Sequence, residues 1–419
     1  MYFSIKEQQL RIIYNIGMFL AQLVLPLVAL FNNKIKLGVS GRSNSFSILE
    51  KALNNSDKTL WYHCASLGEY EQGLPVFKEL RTLYPSHKIV LTFFSPSGYE
   101  IRKNTDIADV VVYLPLDTTH NAKRFLELVN PELTLFIKYD IWPNYLLALK
   151  KRGSKALLIS ALFRKEQSFF KFYGGFMRQA LFAFKHIFAQ DFNTQKLLAT
   201  INYNETTVTG DTRFDRVFSQ LSQNNELPFI DQFKNNQLCL VAGSTWPEDE
   251  ALLIDYINNT DSKTKFIIAP HNIKANQIKN LQDALTKKAV LFSDKAGKKL
   301  DDYTVLIIDT IGLLSKIYKY ADIAYVGGAM GSTGLHNTLE PAVFGIPIII
   351  GKHYEKFPEA SHMISEGGMV SICDKFELKN TLDHFTKNPS EIQNSGNQNL
   401  NYIKKNTGAV IQILDYIRI

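Results

Sequence analysis

Short apolar runs alternate with longer amphipathic stretches over most of the chain, which is the pattern of parallel β-strands joined by covering helices. In the first half the runs predict strands at residues 60–64, 89–93, 110–113, 133–137, 156–159 and 186–189. In the second half they predict strands at residues 238–242, 265–269, 289–292, 305–308, 323–326 and 347–350. The expected fold class is therefore α/β, with two doubly wound halves.

Two boundaries follow from changes in this pattern. Residues 218–234 are mostly polar and weakly periodic, so they are predicted to link Rossmann-like domains at residues 34–217 and 235–419. Residues 402–419 are amphipathic and predict a closing helix. The sequence leaves open whether this helix stays with the second domain or crosses back to the first.

The segment from residue 323 to residue 351 consists of an apolar strand, a glycine-rich turn, a short polar helix and a second apolar strand. The glycines of the turn are Gly327, Gly328, Gly331 and Gly334. They let backbone N–H groups approach a ligand closely, and the helix start that follows favours a phosphate. The spacing is not that of the G-x-G-x-x-G dinucleotide motif. The segment predicts a nucleotide site; the alternative is that the glycines only make the turn.

A polar run follows these glycines, from His336 to Pro341. Asn337 or Thr338 would cap the short helix. Glu340 lies about one turn further, where its carboxylate would meet the hydroxyl pair of a ribose. The run therefore predicts recognition of a nucleoside.

The N-terminal region contains an uncharged stretch from residue 12 to residue 31. As a helix it would reach about 30 Å, the thickness of the hydrocarbon core of a bilayer. The residues that weaken the pattern are Asn15, Gln22 and Pro26, so an in-plane helix is the alternative to a spanning one. No small-residue cleavage site follows. Residues 1–33 are predicted to be a retained anchor in the inner (plasma) membrane, and the basic residues after it put the body on the cytoplasmic side.

The charge balance is basic, with a formal net charge of +7 and a pI near 9.0. This favours an anionic partner, which includes a phosphorylated substrate, an acidic membrane surface or nucleic acid. Nucleic acid is not predicted, because the basic residues are dispersed and no recognition module is visible. Cys64, Cys239 and Cys373 are far apart, so neither a disulfide framework nor a zinc site is indicated. No metal and no cofactor are predicted.

Candidate chemistry in the first half lies just after predicted strands. Glu69, at a helix start, is placed to act as a general base toward a substrate hydroxyl, unless it only stabilises the helix N-terminus. Asp140 would orient a substrate, support Glu69 or cap the next helix. Arg213 would stabilise the charge that develops on a leaving phosphate.

Similar junctions follow the predicted strands of the second half. They are Gly243-Ser244-Thr245, Pro270-His271-Asn272 and Asp309-Thr310-Ile311-Gly312-Leu313. Helix capping explains each of them alone, but together they surround one candidate pocket.

These residues together resemble the 3-deoxy-D-manno-octulosonic acid (Kdo) transferases of lipopolysaccharide assembly. The resemblance covers nearly the whole chain, and the order and spacing of the motifs agree. The segments that carry it are the N-terminal anchor, Ser66-Leu67-Gly68-Glu69, Asp140-Ile141-Trp142-Pro143-Asn144, Gly210-Asp211-Thr212-Arg213-Phe214-Asp215, Gly243-Ser244-Thr245, and Gly327-Gly328 through His336-Asn337-Thr338-Leu339-Glu340-Pro341.

The resemblance implies a GT-B fold, two Rossmann-like domains facing a cleft, and metal-independent, inverting transfer of Kdo from CMP-Kdo to a lipid A precursor (lipid IVA). It implies that Glu69 is the base, and that Asp140 and Arg213 stabilise the transition state. The residues implied to contact CMP are Pro270, His271, Ile311, Gly312, Leu313, Asn337, Thr338, Leu339 and Glu340. The implied partners are CMP-Kdo, the lipid A precursor and inner-membrane lipid.

Three positions depart from the family pattern. Lys138-Tyr139-Asp140 stands where many members have Glu-x-Glu. Pro270-His271-Asn272 stands where many have Pro-Arg-His, and Arg213 where lysine is common. Arginine and lysine are not equivalent phosphate ligands, because only the guanidinium binds as a planar fork.

Two alternatives remain open from the sequence. One is a membrane-associated GT-B enzyme that uses another nucleotide-sugar donor. The other is a non-catalytic scaffold that binds a nucleotide or an anionic lipid.

Overall fold

The apolar runs form two parallel sheets in the computed structural model, which describes residues 5–418 and their side chains from residue 7 onward. The chain divides into two compact units. Unit 1 runs to Arg216 and resumes at Thr407, and unit 2 is Val217–Asn406.

Unit 1 contains a seven-stranded sheet in which every pair is parallel. Its strands are β1 Thr59–Cys64, β2 Lys88–Phe93, β3 Val110–Tyr113, β4 Pro131–Ile137, β5 Lys155–Ala161, β6 His186–Ala189 and β7 Thr206–Val208. The strand order is β3-β2-β1-β4-β5-β6-β7.

Unit 2 contains a second all-parallel, seven-stranded sheet. Its strands are β8 Cys239–Thr245, β9 Lys265–Pro270, β10 Ala289–Leu291, β11 Val305–Ile307, β12 Ile323–Val326, β13 Ile348–Ile350 and β14 Met369–Ser371. The strand order is β10-β11-β9-β8-β12-β13-β14.

Helices connect successive strands, as parallel pairing requires. The first nine are α1 Ile5–Val28, α2 Asn33–Ala52, α3 Leu67–Leu83, α4 Pro96–Arg102, α5 Thr119–Val129, α6 Pro143–Arg152, α7 Gly175–Leu181, α8 Phe192–Ala199 and α9 Thr212–Ser219. The next nine are α10 Pro228–Lys234, α11 Pro247–Asn259, α12 Ala275–Asp283, α13 Leu314–Ile317, α14 Leu339–Ala342, α15 Pro358–Ser365, α16 Lys375–Lys387, α17 Pro389–Asn406 and α18 Ala409–Ile417.

Strand β1 explains why the sheet of unit 1 is buried on both faces. Its side chains alternate, so Trp61 packs on one face against Phe125 of α5 and Tyr145 of α6, with ring centroids 4.8 and 5.7 Å away. Tyr62 points to the other face and stacks on Phe77 of α3 at 4.3 Å. All six residues of β1 are buried, as expected for a strand between two helical layers.

The closing helix α18 packs on unit 1. Its core residues are Val410, Ile413, Leu414 and Ile417, which join the cluster around α3. Asp215 accepts the backbone N–H groups of Gly408 and Ala409 at 2.8 and 3.2 Å. The C-terminal segment therefore completes the first unit.

Some elements were not expected from the sequence. The short strands β7 and β14 and the helix α2 were missed, because their residues are polar or only partly buried. Residues 218–234, expected to be a linker, contain α10. Ile230 and Phe233 of α10 are fully buried, so this segment is part of the core of unit 2.

Helix α1 has two different faces. On one face, Tyr14 donates a hydrogen bond to Asp117 at 2.8 Å, and Asn144 donates one to Asn15 at 2.9 Å. The residues exposed on the other face are Ile12, Ile13, Ile16, Phe19, Leu20, Leu23, Val24 and Leu27. The stretch Glu7–Val28 is long and apolar enough to cross a membrane, by length and composition.

Candidate functional site

Each sheet has one point where its strand order reverses direction. In unit 1 this point lies between β1 and β4, and in unit 2 between β8 and β12. The loops after the two strands at such a point lead away from each other and leave a crevice at the carboxyl edge, where ligands of α/β proteins bind. In unit 1 Glu69 and Asp140 follow these strands, and in unit 2 the glycine loop with Asn337 and Glu340 follows β12.

Glu69 lies in the first turn of α3, directly after β1, and is partly buried. The Ser66 hydroxyl donates a hydrogen bond to its carboxylate. Ser66 is the N-cap residue by position, yet its side chain caps no backbone N–H. The carboxylate keeps acceptor capacity for a substrate hydroxyl.

Asp140 follows β4 and is held by two rings, that of the buried His63 and that of the partly buried Trp142. Its Oδ2 lies 2.6 Å from Nε2 of His63 and 2.9 Å from Nε1 of Trp142. A carboxylate only accepts, so Nε2 of His63 carries a proton and both rings donate to Asp140. The other imidazole nitrogen, Nδ1, lies 2.8 Å from the hydroxyl of Thr92. Asp140 is thus held in place by His63 of β1, which is itself hydrogen-bonded to Thr92 of β2.

One residue near a strand end at each switch has an uncommon backbone conformation. Lys138 at the end of β4 has φ 68°, and Ser244 near the end of β8 has φ 54°. These left-handed values are uncommon for residues with a side chain, and such residues cluster at functional sites. Both mark the strand ends at a strand-order switch.

A buried aspartate supports the loop that carries Asp140. Asp117 accepts the N–H groups of Asn144 and Tyr145, at 3.0 and 3.1 Å, which are the first N–H groups of α6. The Tyr14 hydroxyl of α1 also donates to it. Burial raises the pKa of Asp117 to about 6, against the opposing effect of these hydrogen bonds. The network links α1 to the residues just after Asp140.

Arg213 lies in the first turn of α9 and is already paired. Its Nε donates to Asp211 at 2.7 Å. Gln72 of α3 donates to the same carboxylate at 2.9 Å, and the Thr212 hydroxyl donates to the carbonyl of Gln72. These contacts bring Arg213 beside α3, the helix that starts with Glu69, although β7 is at the far edge of the sheet.

The thiol of Cys64, the last residue of β1, is buried. Burial raises the pKa of Cys64, and the negative charges of Glu69, Asp140 and Glu71 raise it further. Glu71 is neutralised by Arg102, whose Nη2 lies 2.6 Å from its Oε1.

In unit 2 three rings meet at the strand-order switch. Trp246 stacks on His271 with centroids 4.5 Å apart, and His271 lies 4.6 Å from His336. The indole Nε1 of Trp246 donates to Nε2 of His336 at 3.0 Å. Burial, and then the charge of His271, lower the pKa of His336 to about 4. The His336 ring is therefore neutral near pH 7.

The glycine loop after β12 is tied to the loop after β8 by Asp249. Its carboxylate accepts the N–H groups of Gly328 and Trp246, at 2.8 and 2.9 Å, and the hydroxyl of Tyr325 at 2.8 Å. A Cβ on Gly327 would lie 2.4 Å from the carbonyl oxygen of Ser244. The glycines thus serve a close approach of two loops, and the Gly328 N–H is used within the protein.

The polar run after the glycine loop forms a local turn before α14. Asn337 accepts the N–H of Leu339 and donates to Glu340, both at 3.1 Å. The side chains of Thr338 and Leu339 are buried. A ligand at this point would meet Asn337 and Glu340 rather than the two buried side chains.

The remaining predicted donor residues lie on the other side of the switch. Pro270 ends β9 and lines a cavity of about 230 Å³ between α11 and α12. Ile311 to Leu313 follow β11, three strands from β12, or about 14 Å along the edge. Ile311 is 82% exposed. Among the described residues, no three His, Cys, Asp or Glu side chains are grouped as metal ligands.

The chain is similar to known proteins over most of its length. Residues 41–216 match the family model of the 3-deoxy-D-manno-octulosonic-acid transferases (kdotransferases). The 3-deoxy-D-manno-octulosonic acid transferase of Haemophilus influenzae is 28% identical over 384 residues, which cover 86% of each chain. That of Aquifex aeolicus is 29% identical over 350 residues, 81% of this chain and 87% of its own. Residues 41–216 thus match the Kdo transferase model, and the chain is similar to Kdo transferases over most of its length.

The fold is shared more widely than this family. UDP-GlcNAc 2-epimerase from Neisseria meningitidis, solved with UDP-GlcNAc, superposes with a TM-score of 0.60 at 16% identity, covering 86% of this chain and 99% of its own. At this identity the likeness concerns the fold alone. The predicted α/β class, a GT-B type with two doubly wound Rossmann-like units, is confirmed.

Several residues of the candidate site were not singled out by sequence reasoning. They are His63, Asp117, Trp246, Asp249 and His336. A signal existed for His63, because it is a polar residue near the end of a run that predicts a strand. The partners of Asp117 lie 27 and 103 residues away in the sequence, so no local sequence pattern predicts these hydrogen bonds.

Proposed function

We propose that this protein transfers Kdo from CMP-Kdo to a sugar hydroxyl of a lipid A precursor, with inversion at the anomeric carbon and release of CMP. Glu69 is the general base. The observation that carries the proposal is the partly buried Glu69 carboxylate beside the strand-order switch of unit 1, within the segment that matches the Kdo transferase model.

In the proposed step the Glu69 carboxylate takes the proton of the acceptor hydroxyl. The hydroxyl oxygen forms a bond to the anomeric carbon of Kdo, while the bond from that carbon to the phosphate oxygen breaks and its electron pair leaves with CMP. The hydrogen bond from Ser66 orients the carboxylate. Proton transfer of this kind contributes about 10²- to 10⁴-fold.

Asp140 and Arg213 act around the developing charge in this proposal. Asp140 is kept in place by His63 and Trp142, and Arg213 by Asp211. The arrangement gives two preset charges beside the base, which need no reorganisation during the reaction.

Unit 2 binds the donor in this proposal. Trp246, His271 and His336 offer flat ring surfaces, and Asn337 with Glu340 offers an amide and a carboxylate for ribose hydroxyls. A neutral His336 suits the base of a nucleotide better than its phosphate.

The enzyme acts at the cytoplasmic face of the inner membrane, with α1 in the plane of the interface. The support is that Tyr14 and Asn15, in the middle of α1, are hydrogen-bonded to unit 1 while the opposite face is apolar and exposed. A spanning course would draw Asp117 and Asn144 into hydrocarbon, where buried polar groups are costly.

The catalytic proposal is tested by incubating the protein with CMP-Kdo and lipid IVA and measuring CMP release, product mass and anomeric configuration. Glu69→Gln should lower kcat by about 10²-fold or more. Glu79→Gln, an exposed acid on the same helix, is the matched control. Undiminished activity of Glu69→Gln would overturn the assignment.

The membrane proposal is tested with Ile12→Trp, Phe19→Trp and Leu27→Trp, each read by quenching with lipids brominated at defined depths. An in-plane helix gives all three positions the same shallow depth, about 5–10 Å below the headgroups. Three clearly different depths would instead establish a spanning helix.

A further inference from the structure

Unit 1 contains a cavity of about 330 Å³ that is lined by none of the candidate site residues. It lies between α1, α2 and the segment that follows β3. The residues that line it are Gln22, Leu25, Pro26, Val39, Arg42, Ser43, Phe46, Pro115, Leu116 and Asn121. Arg42 is the one charged residue in this lining, and most of the other side chains are apolar.

Arg42 is half-buried in the wall of the cavity. Its Nε donates to the carbonyl of Leu114 at 3.2 Å and its Nη2 to that of Phe94 at 2.5 Å. The guanidinium also lies over the ring of Phe94, 4.3 Å from the centroid. A Cβ on Gly38 would come within 2.8 Å of Nη1, so this glycine of α2 makes room for the cation.

No carboxylate among the described residues forms an ion pair with Arg42. Burial lowers the pKa of the guanidinium, which reflects the cost of holding a charge away from water. Buried charges in proteins are normally paired. An anionic group of a ligand would supply the missing partner.

The cavity also lies close to the proposed acceptor site. Phe94, which accepts from Arg42, donates its N–H to the carbonyl of Cys64 at 3.3 Å, at the start of the loop to Glu69. The ring of Phe94 packs against Trp142 at 4.6 Å, and Trp142 holds Asp140. Phe94 thus links the wall of the cavity to the loops that carry Glu69 and Asp140.

We propose that this cavity binds the acceptor lipid, with one acyl chain between α1 and α2 and a phosphate on Arg42. The inference rests on the proposed function, which supplies an acylated and phosphorylated acceptor. The cavity has the two parts that such an amphiphile needs, an apolar lining for hydrocarbon and a cation without a counter-charge.

Two substitutions separate the two parts. Arg42→Gln should raise KM about 10- to 100-fold for both the acylated acceptor and its deacylated, still phosphorylated form, with kcat little changed, because a charged hydrogen bond is lost. Val39→Trp fills the cavity and should raise KM about tenfold for the acylated acceptor only. Lys51→Gln, an exposed cation on α2, is the control.

Binding of the acylated acceptor in the absence of CMP-Kdo, followed by tryptophan fluorescence, gives a readout independent of transfer. Weaker binding in both variants, with unchanged thermal unfolding, supports the site. Binding without Kdo transfer would refute the proposed function and leave this site intact. Transfer with normal KM in Val39→Trp, or displacement of the acceptor by excess phosphatidylglycerol, would refute the acceptor site.

Discussion

The two strand-order switches of this protein carry different chemistry on the same scaffold. In unit 1 the loops after β1 and β4 present two carboxylates, Glu69 and Asp140. In unit 2 the loops after β8 and β12 present glycine backbone and the rings of Trp246 and His336. The parallel sheet determines where the loops diverge. The residues after each strand determine which chemical groups that edge presents.

In both units a buried aspartate holds the loops at the switch by accepting hydrogen bonds. Asp117 in unit 1 and Asp249 in unit 2 are both buried, and each accepts backbone N–H groups and a tyrosine hydroxyl. Burial raises the pKa of both carboxyls. A buried acid with several donors fixes loops that have no regular structure of their own.

The largest effect is expected for the carboxylate of unit 1. Asp140→Asn should lower kcat about 10²- to 10³-fold, because a charge placed at the reacting centre is lost. His63→Gln should lower kcat less and change its pH profile, since His63 acts by positioning Asp140.

The double variant sharpens this prediction. If the two residues form one unit, Asp140→Asn with His63→Gln is no slower than Asp140→Asn alone. Multiplicative losses in steady-state kinetics would show that His63 has a role of its own.

The buried Asp117 should give the protein a measurable pH dependence. The pKa of Asp117 is raised in the fold, so the native state binds more protons than the unfolded state between pH 4 and 6. Relative to Asp117→Asn, the free energy of unfolding should therefore fall by up to about 3 kcal/mol from pH 4 to pH 7. Urea denaturation of both proteins at several pH values measures this change in the free energy of unfolding. Parallel curves for the two proteins would contradict this account.

In unit 2 the next prediction concerns the close approach of the loops after β8 and β12. Gly327→Ala puts a Cβ against the carbonyl of Ser244 and should lower the free energy of unfolding by about 1–3 kcal/mol and weaken CMP binding. Gly331→Ala meets only the mobile end of the exposed Glu248 and is the control. Equal losses in both variants, by calorimetry and urea denaturation, would mean that the approach is unimportant.

The smallest effect is expected for His336→Gln. Glutamine keeps an acceptor for the indole of Trp246, so CMP affinity should fall by less than about tenfold, the value of one neutral hydrogen bond. The pKa of His336 is lowered to about 4, so this ring adds no inflection to CMP affinity between pH 5.5 and 8. Titration calorimetry over that range tests the neutral state. An inflection near pH 6.5 that disappears in the variant would disprove it.

Local pattern was enough for much of the fold. The apolar runs located the strands that flank both switches, because a strand buried on two faces must be apolar along its length. The polar or short elements α2, β7 and β14 escaped, since they lack such a run. Glu69 and Asp140 were found because they follow strands. Their roles in catalysis stay predictions.

The sequence by itself determined the elements, the two halves and the motifs of the Kdo transferase family, since these depend on residues near each other in the chain. Tertiary structure alone decided the contacts between distant residues. It paired His63 with Asp140, 77 residues away, and Trp246 with His336, 90 residues away. It also placed Arg42 beside a mainly apolar cavity, where no carboxylate in the described part of the chain pairs with it. Such contacts arise only when packing brings separate strand ends together, because that packing sets which charges are desolvated and which find a partner.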